Sequence, residues 1–70
     1  MKQIIKLKGS LPYRPVVGER MMIFQNGKPK YYTSVVVVIR KNRRHSVEVE
    51  TINTIYRITY EKGKRAKKVA

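Results

Sequence analysis

Residues 30–61 read KYYTSVVVVIRKNRRHSVEVETINTIYRITYE, and neither proline nor glycine interrupts them. β-Branched residues and tyrosine dominate this stretch, the composition of pleated strands. No window of it places apolar residues at i, i+3, i+4 and i+7 over the length of a helix. An all-β chain without helix is therefore expected. Residues 31–40 read as one strand whose solid apolar run, Val35 to Ile39, calls for burial on both faces or a central position. Lys41-Asn42-Arg43-Arg44 reads as the next turn. Residues 46–51 then alternate, with Val47 and Val49 facing inward and Glu48 and Glu50 outward. After a short turn at Asn53, residues 54–61 set Tyr56, Ile58 and Tyr60 on one face against Ile55, Arg57 and Thr59 on the other.

Upstream of this stretch, glycine and proline punctuate the chain at Gly9, Pro12, Pro15, Gly18, Gly27 and Pro29. A first strand is expected over residues 2–8, where Ile5 and Leu7 alternate with Ile4, Lys6 and Lys8. A loop stiffened by two prolines follows from Gly9 to Gly18, and a second strand spans residues 19–25. Asn26-Gly27 is a strong signal for a type I′ hairpin turn, because both residues tolerate positive φ. Pro29 lacks the N–H a ladder needs, so regular pairing is expected only beyond it.

Five short strands in about 60 residues bury two faces only by curling, and closure also removes sticky edges. The expected architecture is a small five-stranded antiparallel barrel, SH3-like or OB-like, with a plain antiparallel meander as the alternative. It occupies residues 1–61 as one domain. Residues 62–70 form a basic tail, expected to be disordered alone.

Three segments resemble a pattern found in small SH3-like β-barrel proteins of phages and other mobile elements. They are PVVGERMMI (15–23), YYTSVVVVI (31–39) and VETINTIYRITY (49–60). A Gly-acidic pair opens one strand, a Thr-Ser precedes a valine-rich strand, and a Thr-x-Asn-Thr-x-Tyr turn leads into the last. The resemblance covers residues 15–60. It implies a compact barrel and a mobile-element origin, and it assigns no functional residue.

Charge is the strongest compositional fact. The chain of 70 residues carries 17 Lys and Arg against 4 acidic residues, a formal charge of +13. Unpaired cations are too costly to bury, so this surplus sits on the surface and concentrates polyanions around it. There is no cysteine, hence no disulfide framework or thiolate metal site. No segment approaches the ~20 apolar residues of a membrane span, and the amino terminus has too short an apolar run for a signal peptide. A soluble cytoplasmic protein with no membrane partner is expected.

Catalysis is not expected. The carboxylates are Glu19, Glu48, Glu50 and Glu61, and His45 is the sole histidine. Glu48 and Glu50 share a strand face, but no Asp or His stands beside them at ligand spacing, and Arg40 and Arg57 are placed to form cross-strand ion pairs with them. His45 reads as an exposed turn residue. No glycine-rich phosphate loop is present, and Ser10, Ser34 and Ser46 have no base partner. No cofactor is implied.

Two basic clusters hold 9 of the 17 cations. Arg40, Lys41, Arg43 and Arg44 crowd one turn, and Lys62, Lys64, Arg65, Lys67 and Lys68 fill the tail. Arginine's planar fork matches phosphate oxygens bidentately, while a lysine-rich tail suits sequence-blind tracking of a backbone by counterion release. Solubility is the competing explanation for both clusters. Tyr13, beside Arg14 in the proline-rich loop, is the best candidate to stack on a base. Tyr56 and Tyr60 belong to the core, and one of Tyr31 and Tyr32 faces outward. The expected partner is nucleic acid, DNA or RNA. The alternative is an acidic protein, bound by a phage or mobile-element module such as an inhibitor of a host defence nuclease or a basic virion or ribonucleoprotein component.

Overall fold

In a computed structural model, which describes residues 2–61, the chain forms five strands and no helix. They are β1 (Gln3–Gly9), β2 (Arg20–Gln25), β3 (Lys28–Asn42), β4 (Ser46–Thr51) and β5 (Thr54–Tyr60). The sheet order is β1-β5-β4-β3-β2. The sheet curls into a half-barrel whose outer strands meet at one antiparallel bridge, Ser10 to Phe24, closed by two N–H···O bonds of 2.8 Å. The basic tail expected at 62–70 lies outside the described residues.

The expected wholly antiparallel pairing needs one correction, because β1 and β5 run parallel, from Gln3 opposite Thr54 to Gly9 opposite Tyr60. The reason is parity. Successive strands alternate in direction from β1 through β5, so the first and the fifth of an odd set point the same way. A parallel pair needs a long crossover, and here β2, β3 and β4 together supply it.

Alternation within the strands builds the core as expected. Val47, Val49, Tyr56, Ile58 and Tyr60 are buried with Leu11, Met21, Ile23 and Val36, and Ile5, Leu7, Tyr31 and Ile39 pack against them. Tyr31 and Tyr56 meet at a ring separation of 5.7 Å, tilted by 58°. Their neighbour Tyr32 turns outward and is 64% exposed.

The valine run departs from expectation. Of Val35 to Ile39, only Val36 is buried, and Val37 and Val38 are exposed. β3 has a strand on either side, but among the described residues Val37 and Val38 remain exposed on it, and its register slips between Val36 and Val38. That slip makes Val37 an extra residue, a bulge that breaks the strict alternation.

Asn26 (φ 54°) and Gly27 (φ 75°) both adopt positive φ, as a type I′ turn requires. Pairing does not wait for Pro29, however. β3 begins at Lys28, and Pro29 stands opposite Phe24. Both backbone polar groups of Phe24 turn the other way, onto Ser10, so the position facing Pro29 needs no N–H. The turn expected at residues 41–44 also moves. Lys41 and Asn42 remain in β3, and Arg43 N–H donates to the Ser46 carbonyl at 2.8 Å to close the reversal.

No helix among the described residues is long and apolar enough to cross a membrane.

Candidate functional site

The outer face of the sheet is laid out in rows that register fixes. One row runs Lys6 (β1), Arg57 (β5), Glu48 (β4), Lys41 (β3), each the partner of the next. Two residues along, a second row runs Lys8, Thr59, Ser46, with Arg43 joined to Ser46 through its backbone. Both rows line an open groove of about 740 Å³. Rows two residues apart are spaced by roughly 6.5–7 Å.

A second bulge in β3 shapes this face. Between Ile39, opposite Val49, and Lys41, opposite Glu48, β3 advances two residues while β4 advances one. Arg40 is the extra residue. Strict alternation would send Arg40 and Lys41 to opposite faces; with the bulge, both reach the outer one.

Cations of this face divide into two groups. Arg40, Arg57 and Lys2 are neutralised internally. The Glu48 carboxylate accepts from Arg40 Nε at 3.0 Å and from Arg57 Nε at 2.8 Å, one guanidinium to each oxygen. Glu50 accepts from Lys2 Nζ at 2.7 Å and from Arg40 Nη1 at 3.2 Å. The hydrogen bond from Lys2 holds the Glu50 carboxyl below the usual carboxylate range; partial desolvation opposes this, and the Lys2 charge with the bond and charge of Arg40 reinforces it. The cross-strand pairing expected for the two glutamates is thus present. It draws Arg40 out of the basic cluster in which the sequence places it.

Lys6, Lys8, Lys41 and Arg43 form the second group. Among the described residues none of them has a carboxylate within 4 Å, and all four line the groove. Like charges held this close raise the local potential, and an arriving anion relieves their repulsion.

Of the candidates named from sequence, Lys41 and Arg43 therefore come together in the groove, Arg40 borders it in an ion pair, and Arg44 is exposed in the turn outside it. Tyr13, 63% exposed, and Arg14 lie in the β1–β2 connection and do not line it. Lys62, Lys64, Arg65, Lys67 and Lys68 lie outside the described residues. Sequence reading passed over Lys6 and Lys8, although the alternation Lys6-Leu7-Lys8 already placed them on one solvent face. It also left Tyr32 unassigned; its ring lies 5.4 Å from the Arg20 guanidinium on the β2–β3 ribbon.

His45 is exposed in the β3–β4 turn, and its carbonyl accepts from Tyr60 N–H at 2.9 Å. Among the described residues no group of three or more His, Cys, Asp or Glu is placed to hold a metal ion. Comparison with protein-family models, with curated proteins and with solved structures finds no match to this chain.

Proposed function

We propose that the protein is a non-catalytic nucleic-acid-binding protein that grips the phosphate backbone with little regard for base sequence. One observation carries this reading: Lys6, Lys8, Lys41 and Arg43, outer-face cations without a carboxylate partner among the described residues, line a single groove. Glu48 and Glu50 are occupied as structural counter-charges, a role that suits no general base. Arg44 and the tail cations Lys62, Lys64, Arg65, Lys67 and Lys68 add long-range attraction, and the exposed ring of Tyr13 beside Arg14 offers a stacking surface. An SH3-like assignment fits better than an OB-like one, since an OB-fold is a Greek key and here all neighbours are sequential except β1 and β5. A phage or mobile-element origin rests on the segment resemblance alone.

The test is binding of unrelated single- and double-stranded oligonucleotides across a salt series. The four groove cations alone, at one phosphate each, predict a slope of log K on log salt of about −2.8 to −3.6, a roughly 50- to 150-fold loss between about 50 and about 200 mM salt, and the tail cations steepen it. Lys8→Ala and Arg43→Ala should each lower the slope by about 0.7–0.9 for every sequence alike. Absence of binding at physiological salt would reject the reading.

A second reading has its own observation. Ile4 (46% exposed) and Val38 (43%) stand on the row next to Lys6, with Ile55 on β5 beside Ile4 and the ion-paired Glu50 on β4 beside Val38. Apolar side chains beside a basic groove suit an acidic protein, as for a phage-borne inhibitor of a host nuclease or a virion or ribonucleoprotein component. Such a partner would bind more tightly than any generic polyanion, and Ile4→Ser would weaken it more than it weakens oligonucleotide binding.

A further inference from the structure

The groove is not uniform along its length. At one row the Glu48 carboxylate lies between Arg57 and Lys41 and cancels charge. At the next row its place is taken by two hydroxyls, Ser46 and Thr59, with Lys8 on one side and Arg43 on the other. Ser46 and Thr59 are direct cross-strand partners, and the adjacent pair, His45 and Tyr60, carries the ladder hydrogen bond. Theirs is therefore a non-hydrogen-bonded position, where Cα atoms approach to about 4.5 Å and the side chains lie closest. Thr59 is exposed and Ser46 half-buried. Among the described residues neither hydroxyl has a hydrogen-bond partner. Arg43 is held at the end of this row by the bond from its own N–H to the Ser46 carbonyl.

From this arrangement we propose that Ser46, Thr59, Lys8 and Arg43 form a discrete phosphate subsite, the seat of one backbone phosphodiester in the groove. The proposal rests on the polyanion reading above and adds a location and a chemistry to it. Two hydroxyls donate to the two non-bridging phosphate oxygens, the Arg43 guanidinium supplies a planar fork and the counter-charge of the diester, and the Lys8 ammonium on the far side attracts it and its neighbour along the backbone. The neighbouring row offers Lys6 and Lys41 but no hydroxyl donors, because Glu48, an acceptor held by Arg40 and Arg57, stands in their place.

The experiment compares the full-length wild type with Thr59→Val, with Ser46→Ala/Thr59→Val and with Arg43→Ala. Amide chemical shifts are followed during titration with inorganic phosphate at constant ionic strength, with chloride as the control. A short single-stranded oligonucleotide is then titrated across a salt series. The subsite predicts phosphate-specific shifts concentrated at Arg43, Ser46 and Thr59, absent from the double variant. It also predicts a roughly tenfold loss of oligonucleotide affinity in the double variant with the salt slope unchanged, since no charge is removed. Arg43→Ala should lower affinity and slope together. Shifts spread evenly over all lysines and arginines, or wild-type oligonucleotide affinity in a double variant whose spectrum shows it folded, would overturn the subsite and leave the groove standing. Failure of the wild type to bind any oligonucleotide would overturn the groove and the subsite with it.

Discussion

Thr33 shows how a single side chain repairs a ladder. Where β2 and β3 slip register between Arg20 and Met22, the Met21 N–H loses a carbonyl partner and donates instead to Thr33 Oγ1 at 3.0 Å. The hydroxyl in turn donates a hydrogen bond to the Ser34 carbonyl at 2.7 Å, and Thr33 is 1% exposed. Thr33→Val keeps the shape and strands the buried N–H, so chemical denaturation should show a loss of about 1–3 kcal/mol, with Thr33→Ser retaining most of it. Glu48 is a second case. Its side chain is 9% exposed, but its partners Arg40 and Arg57 are 47% and 44% exposed, so solvent screens the pairs. Glu48→Gln should therefore cost about 1–2 kcal/mol, below the range for fully buried pairs. Glu50 sets a pH dependence of definite sign. Its folded pKa is depressed from 4.5, so its contribution is fully present above that value and fades as pH falls through the lower folded pKa. Stability measured against pH should fall in that acid window, and Glu50→Gln should flatten the fall.

Among the elements, β1 and β2 approach closely where the Ser10–Phe24 bridge joins them. A Cβ built on Gly9 would stand 2.7 Å from the Phe24 carbonyl oxygen, a backbone atom that cannot move aside without opening the Ser10–Phe24 bridge. Read from sequence, Gly9 opens a proline-stiffened loop; in the structure it is the buried last residue of β1. Gly9→Ala should destabilise by about 1–3 kcal/mol, and amide exchange at Ser10 and Phe24 should accelerate more than elsewhere. The same β1–β2 seam is also held by the hairpin tip, where Asn26 N–H donates to Glu61 Oε2 at 2.9 Å, while the Glu61 N–H donates to the Gly9 carbonyl at 3.0 Å. The β4–β5 turn is tied in a similar way, with Thr51 Oγ1 accepting from Thr54 N–H at 3.1 Å and donating to the Thr54 carbonyl at 2.9 Å.

For the molecule as a whole, charge and shape act together. Curling wraps the apolar faces of all five strands around one core and turns the outer face of β1, β5, β4 and β3 into a single surface. Among the described residues, Lys6, Lys8, Lys41 and Arg43 then share one groove without a carboxylate partner of their own. The groove and the tail make separable contributions. Replacing the five tail cations by Gln should reduce oligonucleotide affinity and salt slope, and the slope that remains should still respond to Lys8→Ala. A remaining slope insensitive to Lys8→Ala would locate the binding outside the groove.

Local chemistry on the page of residues was enough for much of this. β-Branched alternation foretold five strands and no helix, Asn26-Gly27 its I′ turn, and Val47, Val49, Tyr56, Ile58 and Tyr60 their inward face, since period-two patterning and φ preference act within a few residues. Pairing of Glu48 and Glu50 with Arg40 and Arg57 was legible for the same reason, once the strands were adjacent. The groove was not. Lys6 and Lys8 stand about 50 residues from Thr59 and Arg57 in the chain and reach them through a parallel pairing that only the parity of the closed strand order imposes. The bulges at Val37 and Arg40 likewise lie in the second half of β3, beyond Val35, where the long strand has passed from its pairing with β2 to its pairing with β4. Such register shifts answer to the curvature of the whole sheet, and they decided which valines meet water and which arginines keep a free charge.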